Sequence, residues 1–117
     1  MKRLLYELKM GENEAVVFLR LLRCERTLKE LEEMTSLRQP QVSLAVSCLE
    51  KRGLVQKHLL PLPEHRGRLR QGRPEKSVRI LPDGLKRLIG QAEHLMGDYG
   101  NDIKSLKGYL SKSEMRP

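Results

Sequence analysis

The apolar spacing of this chain changes twice, and those two changes limit its fold more than any other feature. From residue 2 to residue 52 apolar residues recur mainly at three- and four-residue intervals, the period of helices packed on a core. After Gly53 the pattern shortens. Residues 54–60 read as a strand, and residues 76–81 alternate, with Val78 and Ile80 on one face and Ser77, Arg79 and Leu81 on the other. Between them, residues 61–74 hold three Pro, two Gly and four Arg without apolar periodicity, which reads as a loop. At Pro82 the helical spacing resumes. The expected order is four helices, a β-hairpin and a last helix: mainly α with a small hairpin, in one domain of 117 residues.

Local signals place the helices. Leu4, Leu5 and Leu8 share one face of a short helix over residues 2–9, broken by Gly11. Glu12 and Glu14 sit where a helix N-terminus favours negative charge, and the helix they open ends near Cys24. Thr27 and Glu30 have capping-box spacing and begin a third helix. Residues 35–37 form a tight connection to a fourth helix over about 39–52, with Pro40 in its first turn and Gly53 at its end. Val42, Ala45, Val46 and Leu49 form its inward stripe. Pro82 and Asp83 open a last helix that runs to about residue 110.

Charge is concentrated. Residues 37–81 hold ten basic and three acidic residues, a net of +7 out of +8 for the whole chain. A region this positive attracts a polyanion. The basic stretch is not an amphipathic helix and the longest apolar run is far short of a membrane span, so nucleic acid is favoured over a membrane partner. Three Tyr, one Phe and no Trp argue against a stacking platform for single strands. Cys24 and Cys48 lie too far apart for a metal or disulfide framework, and the N-terminus meets charge too soon for a secretory leader. A reducing, cytoplasmic and nucleoid-associated setting is expected. His58, His65 and His94 have no metal-ligand spacing. No nucleophile–base arrangement or phosphate-cradling loop stands out, so neither enzymatic activity nor a cofactor is expected.

Two short helices joined by a tight turn and followed by a basic-tipped hairpin resemble a winged helix-turn-helix. Leu37-Arg38-Gln39-Pro40-Gln41-Val42-Ser43, with Leu49-Glu50-Lys51-Arg52-Gly53-Leu54-Val55 after it, resembles the recognition helix of ArsR-type repressors. Gly72-Arg73-Pro74-x-Lys76, then Leu81-Pro82-Asp83-Gly84 and Leu88, is similar to the wing exit of MarR, PadR and archaeal TrmB-like regulators. The resemblance covers roughly residues 12–90. Arg38 stands where the family has a capping Ser and Leu81 where it has a capping Thr; the loop is longer than most wings, and the paired-Cys metal motif is missing. The resemblance implies a transcriptional regulator that binds double-stranded DNA.

The residues expected to meet DNA follow from the helix wheel. Opposite the inward stripe lie Gln39, Gln41, Ser43, Leu44 and Ser47. Glutamine can pair bidentately with adenine, Ser can donate or accept, and Leu44 can touch a thymine methyl. Arg38 at the helix start can reach a phosphate or a guanine. In the wing, Arg66, Arg68, Arg70 and Arg73 enter an A·T minor groove or contact phosphates only. Lys57, Lys76 and Arg79 add phosphate contacts. A protein-docking module or a sequence-independent nucleic-acid binder are the alternatives. They are set against the four wing arginines and the Gln- and Ser-bearing helix face respectively.

The domain expected over residues 1–81 binds DNA, and residues 82–117 form a dimerisation helix within the same compact unit. Leu85, Leu88, Ala92, Leu95, Tyr99 and Leu106 follow three–four spacing on one face. So small a domain is not expected to cover this seam itself, so a homodimer reading two half-sites is expected. The sequence names no small-molecule effector, operator or direction of regulation.

Overall fold

The structure is a computed structural model that describes residues 1–59, 76–95, 97 and 99–115. Helix α1 (Lys2–Glu7) buries Leu4 and Leu5 completely. Lys9 then takes a left-handed conformation, φ 70°, which turns the chain into α2 (Glu12–Leu21). Glu14 reaches back from the first turn of α2 to accept the Gly11 N–H at 3.4 Å. Alternate turns of α2 place Ala15, Val17, Phe18 and Leu21 in the core, and Phe18, the chain's one phenylalanine, is fully buried.

The Thr27–Glu30 box forms as expected. Glu30 N–H donates to Thr27 Oγ1 at 3.1 Å and Thr27 N–H donates to Glu30 Oε1 at 2.9 Å, opening α3 (Leu28–Thr35). Ser36, left-handed at φ 60°, ends it within the expected tight turn. Helix α4 (Gln39–Lys51) follows, with Val42, Ala45, Val46 and Leu49 buried. Gly53 ends this segment at φ 76°, a conformation that side chains other than glycine rarely adopt. The chain then runs into β2 (Val55–Leu59) and returns as β3 (Lys76–Ile80), antiparallel, with Val55 opposite Ile80 and Leu59 opposite Lys76.

Two features of the sheet differ from the sequence reading. A third strand, β1 (Arg26–Thr27), pairs antiparallel with β3, giving the order β1-β3-β2. Two residues carry too little periodicity to show as a strand. β3 is therefore the central strand, paired along both edges, and Ser77 is buried as well as Val78 although the two alternate. Its hydroxyl donates to the Arg26 carbonyl at 3.5 Å.

The last helix is not one helix. It divides into α5 (Pro82–Glu93) and α6 (Gly100–Met115), with the break beginning at His94 and reaching Gly100. Gly97 and Gly100 lie at this break, where the weak helix propensity of glycine lets the chain turn. Helix α6 packs against α5, and Lys107 meets Glu93 at 2.9 Å. The seam expected to need a partner is thus closed within the chain: Leu85, Leu88, Ala92, Tyr99 and Leu106 are buried and Leu95 is half-buried. All of them belong to, or pack on, the same core cluster as α1 to α4. The start of α5 is held close to the end of α4. Leu81 N–H donates to the Leu54 carbonyl at 2.8 Å, and the Gly84 Cα lies so near the turn that a Cβ there would sit 1.9 Å from the Gly53 carbonyl oxygen.

Candidate nucleic-acid interface

Helix α4 is anchored on one side and bare on the other. Its buried stripe fixes its rotation, so the positions between the buried ones are presented outward. Arg38, Gln39, Pro40, Gln41 and Leu44 are exposed, while Ser43 and Ser47 are half-buried on the flank. Leu44 is 67% exposed, and among the described residues only it and Tyr6 are large apolar side chains so uncovered. Leaving a leucine in water forgoes roughly 1.5–3 kcal/mol of burial.

The start of α4 shows how its sequence departs from a common cap. Arg38 is the N-cap and its side chain makes no cap hydrogen bond. Gln41 supplies the bond instead: its Oε1 accepts the Arg38 N–H at 2.9 Å. A bidentate base contact by Gln41 would have to compete with this cap. While the cap is made, Oε1 is occupied and the side-chain NH₂ is what faces outward. The three-residue spacing from Arg38 to Gln41 is a signal for this role that the sequence reading passed over.

The remaining basic residues divide by what they already hold. Arg52, in the most basic third of the sequence, is exposed but already engaged by α1 and α2. Its Nε meets Glu14 at 3.2 Å, Nη1 donates to the Leu8 carbonyl at 3.5 Å and Nη2 to the Lys9 carbonyl. Lys57 pairs with Glu50 at 3.3 Å, so a phosphate contact would compete with that carboxylate. Arg79 Nη2 donates to Gln56 Oε1 at 3.2 Å. Lys76 is exposed at the start of β3, and Lys51, not named from the sequence, is exposed in the last turn of α4. Arg66, Arg68, Arg70 and Arg73 lie outside the described residues. Leu59 and Lys76, the described residues that flank the 60–75 segment, are paired across β2 and β3.

One polar cluster braces this pair of strands. His58 Nε2 contacts Glu25 Oε2, joining β2 to the residue before β1. Burial opposes ionisation of Glu25, but hydrogen bonds with Ser77 and His58 and the positive charges of His58 and Arg79 outweigh it and hold its carboxyl below the usual glutamate range. Cys24 and Cys48 are free, half-buried thiols. Among the described residues no group of three or more His, Cys, Asp or Glu is placed to hold a metal ion. Among those residues, too, no helix is long and apolar enough to cross a membrane.

No protein-family model matches the chain, and a search of curated proteins finds no match. Among solved structures, the chain is similar to the disulfide-formed state of AbfR. The two share 14% identity with a TM-score of 0.55, over 96% of this chain and 75% of that one. At this identity the likeness is one of fold alone.

Proposed function

We propose that this chain is a winged helix-turn-helix regulator of transcription that binds double-stranded DNA in a sequence-dependent way. In this reading α4 enters the major groove and the basic segment 61–74 lies on the adjacent minor groove or its phosphates. One observation carries it. On a helix whose other side is fully committed to the core, Gln39, Gln41 and an uncovered Leu44 are presented together. The amide groups suit base edges and the leucine suits a thymine methyl. The net +7 over residues 37–81 supplies the phosphate attraction. The likeness of fold to AbfR is compatible with this role.

Leu44 also suits a protein partner, which keeps a docking module as the second reading. Selection of bound duplexes from a random pool, followed by a salt titration, separates the two. A DNA regulator yields a consensus, and log affinity falls against log salt by about 0.9 for each phosphate neutralised. A pool that returns no consensus and an affinity indifferent to salt would sink the DNA reading.

A further inference from the structure

The two exposed glutamines in the first turn of α4 are not equivalent. The Gln39 side chain has no hydrogen-bond partner among the described residues, so its carbonyl and its NH₂ are both free. Gln41 is closed into the turn from two directions. Its backbone N–H donates to the Arg38 carbonyl at 2.9 Å, and its Oε1 accepts the Arg38 N–H at 2.9 Å. A backbone N–H can only donate, so the side-chain amide has one orientation, with its oxygen on the cap. Pro40, between the two, has no N–H that could take this oxygen over. The Arg38 side chain makes no cap bond, which leaves Gln41 as the acceptor of the turn. Its Nε2 has no partner among the described residues. Leu44, 67% exposed, follows three positions on along the same face.

Resting on the proposed entry of α4 into the major groove, we infer that Gln41 reads DNA as a hydrogen-bond donor alone and selects a G·C pair, through the acceptors of guanine, over an A·T pair. The bidentate pairing of glutamine with adenine uses oxygen and nitrogen together, because adenine sets an N6 donor beside its N7 acceptor. At Gln41 that pairing asks Oε1 to accept from the base as well as from Arg38. Guanine sets two acceptors side by side, N7 and O6, and the free NH₂ carries two hydrogens to meet them. The cap also holds the side chain before DNA arrives, so little of its rotamer freedom is left to lose on binding. Gln39, uncommitted, remains the glutamine suited to adenine. Leu44 stands next to Gln41 on the helix, so the guanine should neighbour a thymine whose methyl meets the leucine.

The test uses the full chain and the duplex it selects from a random pool. Wild type, Gln41→Ala and Gln41→Glu are titrated with duplexes carrying each of the four base pairs at every position of the selected site. The position whose preference vanishes in Gln41→Ala is the one Gln41 reads. Wild type should prefer G·C there by about threefold to tenfold, the range of one hydrogen bond or two. Gln41→Glu keeps an oxygen for the cap but has no donor, so it should lose that preference while its urea midpoint stays at the wild-type value. A purely structural role would spare Gln41→Glu. An A·T pair at that position overturns the inference, as does a G·C preference that survives in Gln41→Glu, since a carboxylate can only accept, from cytosine N4. A consensus with no position that depends on Gln41 overturns it too. Each of these three results leaves the proposed function standing, whereas a pool that returns no consensus removes both.

Discussion

Gly84→Ala should cripple the fold, and the size of the effect can be worked from one distance. A Cβ at position 84 would lie 1.9 Å from the Gly53 carbonyl oxygen and 2.8 Å from its carbon, both backbone atoms. Restoring even the 3.0 Å that real Cβ atoms do not undercut requires a movement of about 1.1 Å. Neither side yields easily. Gly53 is locked at φ 76°, and the first turn of α5 is tied by the 2.8 Å bond from Leu81 N–H to the Leu54 carbonyl. Withdrawing α5 also lifts Leu85 and Leu88 from the core. Overpacking of this kind typically costs about 1–3 kcal/mol and sometimes more. A backbone-to-backbone clash belongs at the upper end, so a loss of about 3 kcal/mol is expected, close to 10 °C in melting temperature for a chain of this size. Gly90→Ala, one and a half turns further along α5 with nothing within 4 Å of the added Cβ, serves as the control and should stabilise by up to ~1 kcal/mol. Urea unfolding of both variants tests the argument. Equal midpoints for the two would refute the close approach of α5 to the Gly53 turn.

Gln41→Ala should cost about 1 kcal/mol of stability by removing the cap acceptor and should also relax sequence preference, whereas Gln41→Glu should keep the cap and stability but lose DNA affinity; urea unfolding and duplex titration read the two effects separately. Replacing Arg68, Arg70 and Arg73 together with Ala should weaken DNA binding across all sequences and lower the salt slope, with the melting temperature nearly unchanged. Because the folded Glu25 carboxyl titrates below its ordinary range, its contribution is present above the unfolded pKa and lost as pH falls through the lowered folded value. Acid unfolding curves of wild type and Glu25→Gln should therefore converge at the acid end and separate above the usual carboxylate range. Truncation after Pro82 should unfold the chain rather than yield a folded fragment, since Leu85, Leu88, Ala92, Tyr99 and Leu106 belong to its core; circular dichroism of the fragment decides.

What could be read from the residues depended on how local the cause was. The Thr27–Glu30 box, the Gly53 stop and the β3 limits rest on neighbours a few positions apart, and all three appear where the spacing put them. The inward stripe of α4 was legible for the same reason, because one helical period over Val42, Ala45, Val46 and Leu49 fixes a face. The break between α5 and α6 was not. The three–four spacing continues across it, and only the fold-back shows that Tyr99 and Leu106 serve the chain's own core. The two-residue β1 and the burial of Ser77 depend on a partner fifty positions away, beyond any local period. At the candidate site, residue identity gave the outward face, but not that Gln41 spends one of its groups on the cap or that Arg52 is already paired with Glu14.

The three-stranded sheet also orders events in time. Helices α2, α3 and α4 are joined by short turns and find one another with little loop-closure cost, whereas β1 must find β3 across some fifty intervening residues, Arg26 against Val78. The central strand of the sheet is therefore secured on its β1 side only after most of the chain is in place. Loss of that pairing leaves β3 hydrogen-bonded to β2 alone, with Val78 still packed against the helical core. The helix proposed to meet DNA rests meanwhile on contacts with α2 and α3, its neighbours in sequence.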